Sequence, residues 1–319
     1  MLAIVCPGQG SQTPGFLSPW LELPGVRERA AALSSAAGVD LVLHGTESDA
    51  DTIRDTAIAQ PLIVGAGLLA LDALFADRST TFSAAAGVTA GHSVGEITAA
   101  AAAGVLSLQD ALALVSVRGR AMARASAITP TGMSAVLGGD PTDVMTSLAT
   151  WGLTPANVNG AGQVVAAGTL EQLAALAAEP PAKARVIPLQ VAGAFHTQHM
   201  TPAVEALRTA ADGLEVTDPR VILLSNADGE TVRTGAEVVS RLVTQVSNPV
   251  RWDLCMEVMT RLGVTGLIEL APAGTLVGLA KRAMGGVELL ALKTPDDLTA
   301  AGDLIERHAS SPISLERQD

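Results

Sequence analysis

The seven residues 90–96, Ala-Gly-His-Ser-Val-Gly-Glu, constrain the fold more than any other stretch of the sequence. Their Gly-x-Ser-x-Gly pattern is typical of a sharp turn that carries a nucleophilic serine from a strand into a helix. Gly91 and Gly95 suit such a turn because it brings the strand close to the helix, where a Cβ would clash. The pattern predicts a strand before Ser93, a helix after it, and the amide of Val94 at the positive end of that helix.

A serine in an ordinary glycine-rich loop would give the same motif, so this interpretation stands beside the functional one. In a chain with 31 glycines among 319 residues, chance alone predicts roughly 0.2 copies of Gly-x-Ser-x-Gly. The motif by itself therefore does not decide the function, and other stretches of the chain have to.

The length and composition indicate a globular protein with a sizeable core. A chain of 319 residues is long enough for one large domain with an insertion, or for two domains. The net charge of -12 argues against a general affinity for nucleic acids or anionic membranes. With only Cys6 and Cys255, no disulfide framework is expected, which favours a reducing compartment.

Two apolar stretches could suggest a membrane span or a secretory signal. Residues 57–76 are the most apolar segment, but Gln60, Pro61 and Asp72 interrupt them, which favours a buried helix. The first residues carry no basic leader and only five apolar residues before Pro7, too few for a signal peptide. We therefore expect a soluble, cytoplasmic protein without a membrane partner.

The apolar residues 2–6 predict a buried strand that ends in the loop Pro-Gly-Gln-Gly-Ser-Gln, residues 7–12. Loops at strand ends are where sites form in α/β proteins, although an ordinary turn has the same composition. Gly8 and Gly10 are followed by Thr13 rather than by a third glycine, so the spacing does not fit a dinucleotide site.

The pattern of the chain changes between residues 129 and 191. Strand and helix signals alternate there in the order βαββαβ, which is typical of a ferredoxin-like unit. We expect residues 129–191 to form a small subdomain inserted into a larger α/β domain, built from residues 1–128 and 192–307. The larger domain is expected to be α/β-hydrolase-like with a mostly parallel sheet, and residues 81–89 are one predicted strand. Residues 308–319 are expected to form a flexible tail.

Two basic side chains are candidates for chemistry near the serine. His196, in the stretch Ala-Phe-His, lies where the chain returns to the larger domain and is a candidate general base. Its spacing from His199 could suggest a metal pair, but no third ligand lies nearby in the sequence, so no metal is expected. Arg118 lies in a predicted helix with Arg120 and Arg124, and a solvated arginine face is the alternative interpretation.

Four stretches occur in a fixed order along the chain: residues 7–12, 90–96, 194–196 and 248–252, the last being Asn-Pro-Val-Arg-Trp. Together they resemble the malonyl-CoA:acyl carrier protein transacylases of type II fatty-acid synthesis and their relatives, the acyltransferase domains of polyketide and fatty-acid synthases. The resemblance covers nearly the whole chain. Stretches such as Pro-Ala-Lys-Ala-Arg-Val are most similar to the actinobacterial branch.

The resemblance implies a role for each of five residues. Ser93 would be the nucleophile and His196 the base that takes its proton. Gln9 and the amide of Val94 would bind the oxyanion, with the side chain and the backbone amide of Gln9 both open as the donor. Arg118, 25 residues after Ser93, would bind the carboxylate of the malonyl group. A guanidinium suits that task because its parallel donors match a carboxylate.

The same resemblance assigns two further roles. A backbone carbonyl from the Asn-Pro-Val-x-Trp segment is expected to orient His196. This chain carries Arg251 where many relatives have glutamine, and Arg251 and Asn248 are the candidates. Phe195 would narrow the acyl pocket, so malonyl would be preferred over an α-methyl acyl group by about 1–3 kcal/mol.

These roles imply a two-step exchange of the ping-pong type, without a bound cofactor. Ser93 would take malonyl from malonyl-CoA, and the phosphopantetheine thiol of acyl carrier protein would then collect it in the same pocket. We expect the enzyme to work as a monomer. A serine esterase or thioesterase, an inert docking module for carrier proteins, and the same chemistry in a polyketide pathway are the alternatives.

Overall fold

The computed structural model describes residues 1–309, in which helices and strands alternate along the chain. The strands in this range are β1 (Leu2–Cys6), β2 (Val88–Gly91), β3 (Thr131–Gly138), β4 (Thr154–Gly160), β5 (Gln163–Thr169), β6 (Ala184–Pro188), β7 (Ile222–Leu224), β8 (Thr231–Val232), β9 (Val250–Arg251), β10 (Gly266–Glu269) and β11 (Glu288–Ala291). The helices in the same range are α1 (Val26–Ala37), α2 (Leu41–Thr46), α3 (Thr56–Phe75), α4 (Phe82–Ala85), α5 (Gly95–Ala102), α6 (Leu108–Ser126), α7 (Pro141–Thr150), α8 (Leu170–Ala178), α9 (Thr201–Ala211), α10 (Gly235–Gln245), α11 (Trp252–Arg261), α12 (Thr275–Ala283) and α13 (Leu298–His308).

Six strands of the described chain form a mostly parallel sheet in the order β11-β10-β1-β2-β7-β8. All neighbours are parallel except β7 and β8. Strand β1 lies inside the sheet and is buried along its whole length, which its unbroken apolar sequence requires. Cys6 pairs with Gly91, so the loops that follow β1 and β2 leave the sheet side by side. The predicted α/β class with a mostly parallel sheet is confirmed.

The turn between β2 and α5 brings the two elements closer together than a side chain would allow. A Cβ on Gly91 would lie 1.9 Å from the carbonyl carbon of Gly95, and one on Gly95 would lie 2.2 Å from the carbonyl oxygen of Cys6. Glycine is therefore required at both positions. The predicted order of strand, serine turn and helix is confirmed.

The strand predicted at residues 81–89 is wrong over most of that range. Residues Phe82–Ala85 form the short helix α4, and β2 begins only at Val88. Phe82 packs edge-on against Phe75 at the end of α3, with the ring centroids 6.2 Å apart. This contact and the helix propensity of the neighbouring alanines favour a helical turn over a strand.

A second sheet in the described chain has the order β6-β3-β5-β4-β9. Strand β3 pairs antiparallel with both β5 and β6, and α7 and α8 pack on this sheet through side chains such as Leu148 and Leu176. The fifth strand, β9, comes from much later in the chain and pairs parallel with β4. It therefore ties this sheet to the segment that leads into α11. The division into a larger domain and an inserted subdomain stays a prediction.

Helix α3 is long and apolar enough to cross a membrane, judged by length and composition alone. However, 72% of its most apolar 18-residue window is buried inside the protein. The helix covers nearly all of residues 57–76, and the prediction of a buried helix there is confirmed.

The C-terminal helix α13 includes His308, which the sequence predicts to begin a flexible tail. The imidazole lies 2.9 Å from the Thr265 hydroxyl and 2.8 Å from a carboxylate oxygen of Glu288, so this residue is fixed against the sheet. The prediction is therefore wrong for His308. Residues 310–319 of the predicted tail lie outside the described residues.

Candidate active site

A cavity of about 240 Å³ lies where the carboxyl ends of β1 and β2 face the second sheet. Loops at the carboxyl ends of parallel strands are the usual position of sites in α/β proteins. Among the residues that line the cavity are Gln9, His92, Ser93, Asn159, Phe195 and His196. The cavity therefore brings together residues from four separate stretches of the chain.

Ser93 and His196 form a hydrogen-bonded pair in this cavity. The Ser93 Oγ lies 2.7 Å from His196 Nε2, which is within reach for proton transfer. Both residues have positive φ, 53° for Ser93 and 60° for His196. Residues other than glycine rarely adopt this backbone conformation, which costs on the order of 1–3 kcal/mol and persists only where surrounding contacts hold it.

Two distant side chains hold the strained backbone of Ser93. The Ser93 N–H donates to Asn226 Oδ1 at 2.8 Å, and Gln245 Nε2 donates to the Ser93 carbonyl at 3.1 Å. Asn226 also donates to the Gly91 carbonyl at 2.8 Å. Because both side chains are buried, these bonds are sheltered from exchange with water. Neither residue lies in one of the four stretches that predict the site, so the sequence analysis identified neither.

His196 is oriented by the backbone carbonyl of Gln245. The His196 Nδ1 lies 2.9 Å from that oxygen, so Nδ1 carries the proton and Nε2 is left to accept from Ser93. Gln245 is the last residue of α10, where carbonyls lack the regular helical partner. Its position at a helix end, close before the Asn-Pro pair, is the one signal that the sequence offers for this residue.

Neither of the two residues predicted to orient His196 makes the bond to Nδ1, so the prediction is wrong for Arg251 and Asn248 as its direct partner. The Arg251 side chain pairs with Asp253 at 2.8 Å. Asn248 donates its backbone N–H to the same Gln245 carbonyl at 3.1 Å, and a backbone hydrogen bond of Asn248 raises the pKa of His196, as that of Gln245 does. A carbonyl belongs to every residue, so residue type could not distinguish these candidates from Gln245.

Arg118 reaches the serine from α6 and is 1% exposed. Its Nη2 donates to Gln245 Oε1 at 2.8 Å and lies 3.4 Å from Ser93 Oγ. Within residues 1–309, its Nη1 is buried without a hydrogen-bond partner. Arg118 does not itself line the cavity, but its guanidinium lies beside Ser93, which does, and it has a donor that no other group uses. Arg120 and Arg124 are exposed, so the solvated arginine face applies to them alone.

Burial controls the charge state of the candidate base. Burial, reinforced by the Arg118 cation, lowers the pKa of His196 to about 3, so its imidazole is neutral at physiological pH. Burial also lowers the pKa of Arg118, to about 10, which leaves this side chain charged. A neutral imidazole whose Nε2 faces a hydroxyl is the form that can accept a proton.

The backbone amides of Gln9 and Val94 have no acceptor within the described part of the chain. The Gln9 side chain turns elsewhere, since its Nε2 lies 3.3 Å from the Thr56 hydroxyl and 3.4 Å from the Arg54 carbonyl. A Cβ on Gly8 would lie 2.7 Å from the His92 carbonyl oxygen, so the two loops are in close contact. Of the two donors considered for Gln9, the backbone amide is therefore the one left free.

Two more residues of the serine loop and the second sheet meet at the cavity. His92 Nε2 lies 2.9 Å from Asn159 Oδ1, and its ring packs edge-on against Trp252 with the centroids 5.8 Å apart. Phe195 lines the cavity with 5% of its surface exposed.

Among residues 1–309, no three His, Cys, Asp or Glu side chains are grouped so that they could hold a metal ion.

The comparisons with known proteins all indicate the same family. The sequence profile of the acyl transferase domain matches residues 3–301. The malonyl CoA-acyl carrier protein transacylase of Mycobacterium tuberculosis is 51% identical over 304 residues, which cover 95% of this chain and 100% of that protein. The crystal structure of MCAT from Mycobacterium tuberculosis is 50% identical and has a TM-score of 0.88, covering 94% of this chain and 99% of that one. A type II PKS acyl-carrier protein in complex with its malonyl-transacylase gives 29% identity and a TM-score of 0.87, covering 96% and 99%.

Proposed function

The chain belongs to the acyl transferase domain family, and we propose that it transfers malonyl from malonyl-CoA to the phosphopantetheine thiol of acyl carrier protein. The observation that carries this proposal is the buried guanidinium of Arg118, 3.4 Å from the hydroxyl of the Ser93–His196 pair. A buried cation beside the nucleophile favours an acyl group that bears a carboxylate. The printed names of the relatives support the same substrate and the same acceptor.

In the first half of the proposed reaction, Ser93 Oγ attacks the thioester carbonyl of malonyl-CoA and gives its proton to His196 Nε2. The bond from the carbonyl carbon to sulfur then breaks, and the proton passes from His196 to the departing thiolate of coenzyme A. The free amides of Gln9 and Val94 support an oxyanion site for the tetrahedral state. The product is a malonyl ester on Ser93.

In the second half, the phosphopantetheine thiol of the carrier protein gives its proton to His196 and attacks the same ester carbonyl. The bond to Ser93 Oγ breaks, and His196 returns a proton to the serine. One base and one oxyanion site serve both halves, because the two thiols enter and leave along the same path. The Gln245 carbonyl steadies the imidazolium that forms in each half.

The carboxylate of the malonyl group needs a partner once it leaves water, since an unpaired buried charge costs several kcal/mol. The Nη1 of Arg118 is a buried donor without a partner among residues 1–309, and Nη2 adds a second donor beside the serine. A carboxylate there would also offset the cation that lowers the pKa of His196. The base would therefore become stronger when the right acyl group is bound.

The remaining alternatives concern the acceptor and the pathway. An esterase or thioesterase would use water and has no need of Arg118. An inert docking module has no need of the strained, hydrogen-bonded Ser93 and His196.

We propose that the enzyme acts as a monomer, because one chain supplies every side chain of the site. We also propose that it acts in the cytoplasm and that its product is used for fatty-acid elongation. A polyketide pathway stays the alternative, which the type II PKS complex keeps open.

The test is mass spectrometry of the protein after a brief incubation with malonyl-CoA, with and without a phosphopantetheinylated carrier protein. We expect the malonyl mass on Ser93, its transfer to the carrier thiol, and no label on Ser93→Ala. The exposed Ser240→Ala variant is the matched control and should label normally. Label on Ser93→Ala, or loss of the malonyl group to water in the presence of the carrier, would refute the proposal.

A further inference from the structure

Glu96 is a buried carboxyl group for which the mechanism above has no use. It lies in the first turn of α5, is 6% exposed, and does not line the cavity beside Ser93. One carboxylate oxygen accepts from the Asn226 backbone N–H, and the other accepts from Gln245 Nε2. These are the two residues whose side chains hold the strained backbone of Ser93.

We propose that Glu96 is a positioning residue for the transfer reaction, whose carboxylate fixes the direction in which the Gln245 side-chain amide faces. This inference rests on the proposed function, since the groups that Gln245 holds are the nucleophile, the base and the carboxylate-binding arginine. Gln245 contacts all three: Ser93 through Nε2, Arg118 through Oε1 and His196 through its backbone carbonyl. Glu96 would therefore act on the reaction through Gln245 without touching the substrate.

The direction of the Gln245 amide follows from the chemistry of its neighbours. A guanidinium only donates hydrogen bonds and a backbone carbonyl only accepts them, so Oε1 must face Arg118 and Nε2 must face Ser93. An ionised Glu96 fits this arrangement because it only accepts. All partners of the Gln245 side-chain amide are then satisfied at once.

A proton on Glu96 would disturb this arrangement. The Asn226 N–H already donates to one oxygen of Glu96, so the proton would sit on the other oxygen and oppose the Nε2 donor of Gln245. Turning the amide over would relieve that contact, but it would point Nε2 at Arg118 and Oε1 at the Ser93 carbonyl. In either arrangement one buried polar group loses its partner, so Ser93 and Arg118 are held less firmly.

The surroundings of Glu96 place the gain or loss of its proton near neutral pH, where enzymes commonly work. Burial raises the pKa of Glu96 to about 7, against the opposing effects of its hydrogen bonds and of Arg118 and Arg241, the cations that face it from α6 and α10. The Cys255 thiol faces it from α11, and burial raises the pKa of that thiol far above this range. The pKa values of His196 and His92 are lowered by burial. Among these neighbours of the serine, Glu96 is thus the group that changes charge near pH 7.

Solvent protons can reach Glu96 without crossing the substrate cavity. Glu96 and Gln245 both line a second cavity, of about 440 Å³, which shares no lining residue with the cavity beside Ser93. Substrate bound at Ser93 would therefore leave the exchange of this proton unhindered.

The test is the pH profile of kcat for malonyl transfer between about pH 5.5 and about pH 9. It compares the wild-type protein with Glu96→Gln, Glu96→Asp and the exposed Glu257→Gln as the matched control. We expect the wild-type and control proteins to lose activity below pH 7. Glu96→Gln should lose at least about tenfold in kcat at pH 8 and give a flat profile across pH 7, because it cannot change charge. Glu96→Asp keeps a carboxylate and should restore the acidic limb.

Two results would overturn the role of Glu96. One is an acidic limb near pH 7 that persists in Glu96→Gln, and the other is a wild-type protein that transfers malonyl with no such limb. The second result needs no variant, so the test stands even if Glu96→Gln fails to fold. A wild-type protein that transfers no malonyl at any pH would instead refute the proposed function itself.

Discussion

Replacing Arg118 with methionine separates the binding of the acyl carboxylate from the chemistry at the serine. Methionine fills much of the same buried volume, so the loss of the charge is tested without a large cavity. In the structure Nη2 is already engaged with Gln245, while Nη1 has no partner in the part of the chain described. A bound carboxylate would thus gain one full hydrogen bond from a cation and part of a second.

A hydrogen bond to a charged group contributes about 1.5–3 kcal/mol, so one to one and a half of them give about 2–4 kcal/mol. We therefore expect kcat/KM for malonyl-CoA to fall by about 30-fold to about 1,000-fold in Arg118→Met. The acetyl group of acetyl-CoA carries no carboxylate, so we expect kcat/KM for acetyl-CoA to fall by less than about fivefold. The ratio of the two specificity constants is thus the informative quantity.

The assay is the release of free coenzyme A from each thioester in the presence of carrier protein, at matched protein concentrations. Arg120→Met is the control, since Arg120 lies on the same helix but is exposed, and both constants should stay unchanged. Circular dichroism would check that Arg118→Met is folded. An equal loss for malonyl and acetyl transfer would refute the assignment of the carboxylate to Arg118.

Three further outcomes are expected. Burial raises the pKa of Glu96 from 4.5 to about 7, so its contribution to stability is complete below the lower value and is lost as the pH rises through the higher one. Chemical denaturation should therefore show that, from about pH 5 to about pH 8, the unfolding free energy of the wild type falls by about 2–3 kcal/mol relative to that of Glu96→Gln. The same difference between the two proteins at both pH values would contradict the burial argument. Phe195→Ser should raise kcat/KM for methylmalonyl-CoA relative to malonyl-CoA by about 5-fold to about 100-fold, and an unchanged ratio would remove Phe195 from the selectivity of the pocket. Gly91→Ala would place a methyl group 1.9 Å from backbone and should lower the melting temperature sharply, whereas Gly285→Ala, with nothing within 4 Å, should not; equal melting temperatures would contradict the close approach at the turn.

The local features of the site could be predicted because each depends on neighbours in the chain. Gly91 and Gly95 on either side of Ser93 imply a turn that only glycine permits, and the structure has that turn between β2 and α5. The periodic apolar residues of α6 predict its helix, and the run at residues 2–6 predicts β1. The strand predicted at residues 81–89 failed because the contact of Phe82 with Phe75 and the helix propensity of the alanines beside it favour a helical turn there.

The sequence alone determined which residues carry the reactive groups, since a hydroxyl, an imidazole and a guanidinium are properties of residue type. Only the tertiary structure decided which atoms hold them in place. Gln245 orients His196 through a backbone carbonyl, a group that every residue has, and Asn226 and Glu96 act through hydrogen bonds that join positions more than a hundred residues apart. The physical reason is that a hydrogen bond depends on distance and direction in space, and these are fixed only when the sheet and helices pack together.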